Sequence, residues 1–289
     1  MILVDIGNSG LRASRVANGR MFTGDTVYRL SWAAAVASLR KPSPEQEAAL
    51  DQRWCNLDDS QAFDWLVSQF SAFAKESWRV SCVQRRALEQ LRASLKANGL
   101  CSEPKVVTYS DIPMTIDVAA PEKTGIDRLL AAYSAYRYVN ETATKPKPVI
   151  VIQAGTAVTV DLVDESGTFR GGSIMPGLGL SLQLLAAGTD LLPWLGNHAV
   201  DVSPILPGKN TEQAISAGVN AALVGGASHL VNRYRSENFG NADIKVIVSG
   251  GDGHLLIPHI EKPAEFVEHL VLRGLGYIVP YAQRIQARG

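Results

Sequence analysis

Two glycine-containing turns follow short apolar runs at widely separated points of the chain. Residues 2–6 lead into residues 7–10 (Gly-Asn-Ser-Gly), and residues 149–152 lead into residues 153–156 (Gln-Ala-Gly-Thr). Glycine at the end of a strand lets the backbone approach a ligand closely, and the neighbouring amide and hydroxyl groups donate hydrogen bonds to phosphate oxygens. Two such turns facing each other would hold a polyphosphate from both sides, although each alone also fits a plain hairpin turn.

Two aspartates are candidates for chemistry beside those turns. Asp5 ends the first apolar run, where it is a candidate for holding a hydrated Mg²⁺, because Mg²⁺ keeps several waters and takes few carboxylates. Asp127 and Arg128 end the segment 121–128 (Pro-Glu-Lys-Thr-Gly-Ile-Asp-Arg), in the predicted first turn of a helix. Adjacent helical residues point about 100° apart, so the pair would contact two different ligand groups. The carboxylate would act as a base for a hydroxyl, and the guanidinium would donate two hydrogen bonds to a carboxylate. A helix start that contains an ion pair is the alternative.

Two further segments are rich in glycine. Residues 171–177 (Gly-Gly-Ser-Ile-Met-Pro-Gly) predict either a loop that lines a ligand or a sharp turn from strand to helix. Residues 249–253 (Ser-Gly-Gly-Asp-Gly) follow an apolar run, where glycine would let the backbone approach a flat ligand such as adenine. A plain turn between strand and helix explains the second segment almost as well.

Composition and motifs exclude several classes of protein. The formal net charge is zero and the basic residues form no run longer than a pair, which argues against a nucleic-acid surface. We expect no membrane span and a cytoplasmic location, because no signal peptide and no apolar window of about 20 residues is visible. The three scattered cysteines and five histidines lack metal-ligand spacing. The sequence contains neither a phosphate-binding P-loop motif nor a serine-hydrolase elbow.

The elements that would position these residues occur in the same order twice. Each half opens with strand, glycine turn, strand, turn and strand, and continues with helices and further strands, which predicts an α/β protein with a weak internal repeat. The break at 145–148 (Lys-Pro-Lys-Pro) divides the chain into predicted domains 1–145 and 146–289. Predicted strands include 11–16, 21–30, 78–83, 105–109, 158–163, 168–174 and 245–248; predicted helices cover 61–75, 87–97 and about 125–139; and 41–59 is a predicted exposed connection.

Taken together and in order, these motifs resemble the type III pantothenate kinases of the acetate and sugar kinase/Hsp70/actin superfamily. The resemblance rests on residues 5–9, 121–128, 153–157, 171–177, 210–211 and 250–251, and so covers nearly the whole chain. It implies duplicated actin-like (ribonuclease H-like) halves, each a mixed sheet flanked by helices. The N-terminal half would carry the acceptor-binding element, and the C-terminal half the second phosphate turn and the adenine-side glycine turn.

The resemblance also implies a reaction and its residues. ATP would phosphorylate pantothenate to 4'-phosphopantothenate, the first step of coenzyme A biosynthesis, with Asp127 as the base for the primary hydroxyl. The residues implied for ATP are Asp5, Ile6, Gly7, Asn8, Ser9, Gly10, Leu11, Arg12, Gly155, Thr156, Gly250 and Gly251. Those implied for pantothenate are Gly125, Ile126, Asp127, Arg128, Thr211 and Val118.

Family members use Mg²⁺ and a monovalent cation such as K⁺ or NH4⁺, and they are homodimers with the acceptor pocket near the subunit interface. Two positions depart from the family pattern. Gln153 replaces an aspartate associated with the monovalent cation, so we expect weak or absent activation by K⁺. Val118 replaces an aromatic residue of the acceptor pocket. A kinase for another small acid or sugar, a non-catalytic regulator like the Bvg accessory factors, and an actin-like polymer subunit stay open as alternatives.

Overall fold

The computed structural model describes residues 1–17, 22, 24, 26–32, 52–55, 60–100, 103–195, 204–239 and 244–286. These residues belong to two compact units. The first unit comprises 1–113, 120–134 and 269–289, and the second comprises 114–119 and 135–268. The predicted halves 1–145 and 146–289 differ from these units, because each unit takes residues from both sides of that boundary. One cause is a C-terminal helix that packs on the first strand of the chain.

The first unit contains a six-stranded mixed sheet. Its order is β4-β3-β2-β1-β5-β6. The first three strands form an antiparallel meander, and the pairs β1–β5, β5–β6 and β3–β4 are parallel. The strands are β1 (Ile2–Ile6), β2 (Gly10–Arg15), β3 (Tyr28–Trp32), β4 (Gln52–Cys55), β5 (Trp78–Cys82) and β6 (Lys105–Val106).

The second unit contains a five-stranded mixed sheet with the order β11-β10-β7-β8-β9. Its first three strands again form a meander, and β10 pairs in parallel with both β7 and β11. Its strands are β7 (Val149–Ala154), β8 (Ala157–Val163), β9 (Phe169–Pro176), β10 (Lys245–Ser249) and β11 (Ala264–Phe266). Both sheets therefore share the spatial order third, second, first, fourth, fifth, with β4 added in the first unit, which confirms the predicted duplication.

Helices cover these sheets. They are α1 (Ser60–Ser68), α2 (Arg85–Ala97), α3 (Ile126–Asn140), α4 (Leu178–Gly188), α5 (Thr211–Phe239), α6 (Gly253–Leu256) and α7 (Leu270–Gln286). In the first unit, α1 and α2 bury Phe63, Leu66 and Leu91 in one core cluster with Val4 and Ile6 of β1. Alternate residues of a strand point to opposite faces, so Leu3 and Asp5 lie on the other face. Helix α7 packs against β1 and β5 there, with Gly276 near Leu3.

Helix α5 is the longest helix that the structure describes. Within the described residues it alone is long and apolar enough to cross a membrane by length and composition, and 44% of its most apolar window is buried. Ile215, Val219 and Leu223 belong to the core cluster that also contains Val158 and Val160 of β8. Its apolar character therefore matches packing on a sheet, as expected of a core helix.

The register of the two sheets makes the internal repeat visible residue by residue. On β1, Asp5 lies opposite Arg12 of β2 and Ser81 of β5. At the corresponding point of β7, Gln153 lies opposite Thr159 of β8 and Ser249 of β10. Each sheet thus carries a row of polar side chains across three adjacent strands, and the central residue of each row lies two residues before the glycine of its turn.

Four predicted elements differ from the structure. The third strand is Tyr28–Trp32, where 21–30 was predicted with residues 21, 23 and 25 outside the described part of the chain. The predicted connection 41–59 contains β4, and its residues 41–51 and 56–59 lie outside the described residues. Helix α1 ends at Ser68 and is followed by a 3-10 turn at Ser71–Phe73. Strand β6 ends at Val106, because the Asp111 carboxylate accepts hydrogen bonds from the Thr108 amide and hydroxyl and folds the chain into a turn.

Candidate functional site

Asp5 is a buried carboxylate at the end of β1. Only 5% of the residue is exposed, and its Oδ1 atom has no hydrogen-bond partner. Its Oδ2 atom lies 3.6 Å from Nη1 of Arg12. Burial raises the pKa of Asp5 to about 6; the nearby Arg12 cation and the Ser81 hydroxyl oppose this rise, and the Asp127 carboxylate adds to it. Asp5 is therefore poised to accept a proton or a cation at Oδ1.

The turn after β1 is fixed by backbone contacts. The Gly7 amide donates to the Gly10 carbonyl at 2.8 Å, and the Trp32 indole donates to the Asn8 carbonyl at 2.8 Å. A Cβ atom on Gly10 would lie 2.6 Å from the Leu30 carbonyl, so β2 approaches β3 there as only glycine allows. Asn8 and Ser9 are exposed at the tip. The predicted phosphate turn is thus tightly held at its base and open at its tip.

Asp127 lies in the first turn of α3, as the sequence predicts. Its Oδ1 atom accepts a hydrogen bond from the Arg128 amide at 2.9 Å. Burial raises its pKa, while the backbone amides of Arg128 and Asp127 and the Arg128 cation act against the rise. A Cβ atom on Gly125 would lie 2.6 Å from Asp127 Oδ1, so the glycine leaves the space that the carboxylate occupies.

The first unit therefore brings two of the predicted acids into electrostatic contact. Asp127 raises the pKa of Asp5, which shows that the two like charges are close enough to interact. Burial acts on both groups in the same direction. The pair offers a carboxylate with an open oxygen beside a second carboxylate that is held at a helix start.

Three glycine segments converge at the C-terminal end of β7 in the second unit. The Gly177 amide donates to the Thr156 carbonyl at 3.0 Å, and a Cβ atom on Gly177 would lie 1.9 Å from the Gly155 carbonyl. Gly250 has a φ of +97°, and a Cβ atom on it would lie 2.1 Å from the Ala154 carbonyl. The space beside Gly155 itself is open, and Thr156 is exposed. The predicted turns 153–157, 171–177 and 249–253 thus form one cluster.

Asp252 belongs to this cluster and was not among the predicted site residues. Its amide donates to the Ala154 carbonyl at 3.2 Å, and burial raises the pKa of its carboxyl while His254 lowers it. The neighbouring Gly251 is exposed and has open space around it. The acid was visible in the sequence inside a glycine-rich turn, but only the fold places it against β7.

Asn210 and Thr211 begin helix α5. The Asn210 side chain accepts from the Gln213 amide at 2.8 Å, and the Gln213 side chain accepts from the Lys209 amide at 2.8 Å. This arrangement caps the helix in the manner of a capping box. Asn210 therefore has a structural role, while Thr211 is exposed at the first position of the helix.

Val118 lies in a short segment, residues 114–119, that pairs with strand β9. The Phe169 amide donates to the Thr115 carbonyl at 2.8 Å, and the Asp117 amide donates to the Phe169 carbonyl at 2.9 Å. Gly171 has a φ of +91°, and a Cβ atom on it would lie 3.5 Å from Val118 Cγ1. Val118 thus packs beside the first glycine of the segment 171–177.

Two buried polar residues lie outside the predicted site residues. Ser81 is fully buried opposite Asp5, and Asp161, which the sequence also offers as an alternate residue of the strand after the turn 153–157, is fully buried on β8 opposite Gly172. A Cβ atom on Gly172 would lie 2.2 Å from Asp161 Oδ1, so glycine is required to accommodate this acid. A polar residue at every second position of an apolar strand was the available signal, but register with a neighbouring strand is a tertiary property.

Comparison with known proteins identifies the family. The sequence model of the type III pantothenate kinases matches residues 1–233. The chain belongs to the type III pantothenate kinase family. A type III pantothenate kinase from Rhodopirellula baltica is 40% identical over 283 residues, which cover 94% of this chain and 96% of the relative. Another from Herminiimonas arsenicoxydans is 34% identical and covers 95% of both chains.

Solved structures are more distant. An archaeal actin homolog aligns with a TM-score of 0.46 at 14% identity, covering 98% of this chain and 99% of the other. Family membership confirms the predicted phosphotransferase class and the predicted fold class. Type III pantothenate kinases use ATP, which agrees with the paired glycine turns.

The residues around Asp5 fit a hydrated divalent cation. Among the described residues no group of three or more His, Cys, Asp or Glu side chains comes together. Mg²⁺ needs no such group, because it keeps waters and binds through one or two carboxylates and substrate phosphates, and Asp5 Oδ1 is a buried acceptor without a partner. At the corresponding point of the second sheet, Gln153 and its neighbours Thr159 and Ser249 are uncharged.

Proposed function

We propose that the protein phosphorylates pantothenate with ATP through the residues that surround Asp5 and Asp127. The observation that carries this assignment is that the two acids lie close enough within one unit for their like charges to interact, beside the open turn 7–10. Family membership supports the substrates and the place of the reaction in coenzyme A biosynthesis. We also propose a cytoplasmic location, which the family's biosynthetic role supports.

Each group would have one task in the transfer. The backbone amides and side chains of residues 5–12, with Gly155 and Thr156, would hold the phosphates of ATP, and Gly250 and Gly251 would lie beside adenine. When bound at Asp5 through water, Mg²⁺ would supply charge neutralisation on the phosphates. Arg128, Gly125, Ile126, Thr211 and Val118 would bind and orient pantothenate.

Asp127 would act as the base. As the primary hydroxyl oxygen of pantothenate attacks the γ-phosphorus, the bond from that phosphorus to the β,γ-bridging oxygen breaks, ADP leaves, and Asp127 takes the hydroxyl proton. Burial raises the pKa of Asp127, and a base whose pKa lies nearer the working pH is a better proton acceptor. The Arg128 amide keeps the carboxylate oriented meanwhile.

The decisive experiment is an ATP-consumption assay that depends on pantothenate. We expect ADP formation with pantothenate and none with glucose, acetate or no acceptor. ADP formation with a sugar or another acid in place of pantothenate would support a different superfamily kinase. Absence of turnover with every acceptor, from a folded protein that still binds ATP, would support a non-catalytic regulator.

We further propose that the neutral Gln153 row gives weak or absent activation by K⁺ or NH4⁺. The initial rate would be titrated with KCl at constant ionic strength, in the wild type and in Gln153→Asp. We expect a flat response in the wild type and a response only in the variant. Strong saturable activation of the wild type at low millimolar K⁺ would contradict this proposal.

We also propose that the protein is a homodimer through the second unit. Five large apolar side chains of that unit are exposed, with exposed fractions from 54% to 87%: Ile174, Leu184, Leu191, Ile205 and Leu206. Between residues 213 and 228 of α5, the exposed positions are all small residues: Ala214, Gly218, Ala221, Ala222 and Gly225. Exposed apolar surface of this kind is typical of protein interfaces, and small residues let a second helix approach closely.

A further inference from the structure

The β8–β9 hairpin contains a charged cluster that family assignment does not explain. Arg170 Nε donates to Asp164 Oδ2 at 2.7 Å, and Arg170 Nη1 forms a short ion pair with Asp117. Asp164 is itself fixed, because its Oδ1 atom accepts from the Ser166 and Thr168 amides, both at 2.9 Å. Arg170 is therefore anchored on the hairpin by one carboxylate and reaches with its other end to Asp117.

Asp117 is the remote member of this cluster. It lies 53 residues before Arg170, in the segment 114–119 that pairs with the edge strand β9 through a single bridge between Ile116 and Phe169. Two backbone hydrogen bonds make that bridge. Such a short pairing at a sheet edge contributes little by itself, so the ion pair adds to what holds the segment.

The next residue of the segment is Val118, which packs beside Gly171. The chain then continues directly through residue 120 into the element 121–128, which contains Asp127. Fixing Asp117 to Arg170 therefore fixes both the side chain of Val118 and the point from which the chain enters that element.

The ion pair contributes little to global stability. Arg170 and Asp117 are 46% and 62% exposed, and exposed ion pairs are screened by solvent. Their effect is therefore local, on where the segment 114–119 lies. A local effect of this kind is expected in the binding of a ligand that contacts the segment, not in the chemical step.

We propose that Arg170 is a positioning residue for the acceptor: by fixing Asp117 to the β8–β9 hairpin, it holds Val118 in the position from which it contacts pantothenate. This inference rests on the proposed function. It assigns a specificity role to a side chain outside the predicted motifs, and it attributes that role to geometry alone.

The test is a double-mutant cycle on steady-state kinetics. We expect Arg170→Ala and Asp117→Ala each to raise KM for pantothenate about fivefold, with kcat and KM for ATP changed less than about twofold. The double variant is expected to resemble the single variants, because both remove the same ion pair. Arg170→Lys, which keeps the charge but not the forked geometry, is expected to recover part of the loss.

Arg233→Ala is the matched control. Arg233 forms an exposed ion pair with Glu237 in the same unit, with exposed fractions of 58% and 54%, and both partners lie on α5, away in sequence from β9 and the segment 114–119. Hydrogen exchange provides a second readout: the Asp117 amide is expected to exchange faster in Arg170→Ala and to be unchanged in Arg233→Ala.

The outcomes separate the inference from the proposed function. A wild type without pantothenate-dependent turnover would overturn both. An active wild type with an unchanged KM for pantothenate in Arg170→Ala would overturn the inference alone. Equal changes in kcat and in both KM values, or additive effects in the double variant, would show a general structural role and would also overturn it.

Discussion

At the scale of single residues, the proposed chemistry depends on two carboxylates whose surroundings are unequal. Asp5 has a buried oxygen without a hydrogen-bond partner, whereas Asp127 is oriented by the Arg128 amide and by the space that Gly125 leaves. Burial raises the pKa of each. One acid is therefore suited to hold a cation and the other to move a proton.

The first residue-scale prediction concerns the base. Asp127→Asn keeps the shape and removes the proton acceptor, so kcat is expected to fall roughly a hundredfold to ten-thousandfold. Affinity for pantothenate, measured by calorimetry, is expected to change little. Near-normal turnover in this variant would exclude Asp127 as the base.

The second residue-scale prediction concerns pH. The pKa of Asp5 rises from 3.8 to about 6 on folding, so the folded state binds its proton more tightly than the unfolded state. The stability that this provides is present below pH 4 and is lost as the pH rises through about 6. This rise in the pKa of Asp5 corresponds to about 3 kcal/mol in the free energy of unfolding.

We therefore expect Asp5→Asn, in the absence of ATP and metal ions, to gain stability relative to the wild type between pH 4 and pH 8. Urea unfolding at the two pH values measures that difference. Ser14→Ala on the same sheet is the control, since it removes a buried polar group that does not titrate. A difference between Asp5→Asn and wild type that does not vary with pH would contradict the raised pKa.

At the scale of elements, each unit has turns in which neighbouring backbone requires glycine. Gly250 meets the Ala154 carbonyl, Gly177 meets the Gly155 carbonyl, and Gly10 meets the Leu30 carbonyl. These contacts fix where each turn lies on its sheet. The glycines serve packing between elements, in addition to any contact with a ligand.

The element-scale prediction compares two glycines with positive φ. Gly250→Ala combines a φ of +97° with a contact of 2.1 Å, whereas Gly99→Ala has a φ of +64° and open space. We expect Gly99→Ala to lower the free energy of unfolding by about 1 kcal/mol, the cost of the left-handed conformation. Gly250→Ala is expected to lower it by more than about 3 kcal/mol. Equal losses in chemical denaturation would show that the close approach to Ala154 is not rigid.

Sequence reasoning succeeded where a pattern is local and failed where it depends on pairing. The strand, glycine and polar-residue order at Asp5 and Gln153 was readable, because each turn is encoded within ten residues. The end of β6 at Val106 was not, because the Asp111 side chain redirects the chain there. Ser81 opposite Asp5, and Arg170 beside Asp117, depend on contacts between distant segments, which no spacing in the sequence reveals.

At the scale of the whole molecule, two units repeat one strand order but have diverged at matching points. The row Ser81, Asp5 and Arg12 in the first unit corresponds to Ser249, Gln153 and Thr159 in the second. The first row contains the charged residues Asp5 and Arg12, whereas the second row contains no charged residue. The duplicated scaffold therefore supports different roles for its two glycine turns, in agreement with the proposed dependence on Mg²⁺ but not K⁺.

The whole-molecule prediction concerns association. If the exposed apolar surface of the second unit joins two copies, the wild type will sediment as a dimer of 31.1 kDa chains. Gly218→Arg places a charge among the small exposed residues of α5. A Cβ atom at Gly218 would meet nothing within 4 Å, so the variant is expected to fold as a monomer. Glu89→Arg, an exposed change on α2, is the control. A dimeric Gly218→Arg protein would locate the interface elsewhere.

The assignment of α7 to the first unit has a consequence for how the chain is made. On a ribosome, β1 is synthesised long before the helix that covers its Asp5 face, in which Gly274 fits against the Leu130 carbonyl and Gly276 lies beside Leu3. All segments of the second unit precede α7 in the chain. Domains tend to fold as units while they emerge, so the second unit is expected to fold before the first unit is complete. A nascent chain stalled before residue 270 would leave the Asp5 face of β1 without this helix.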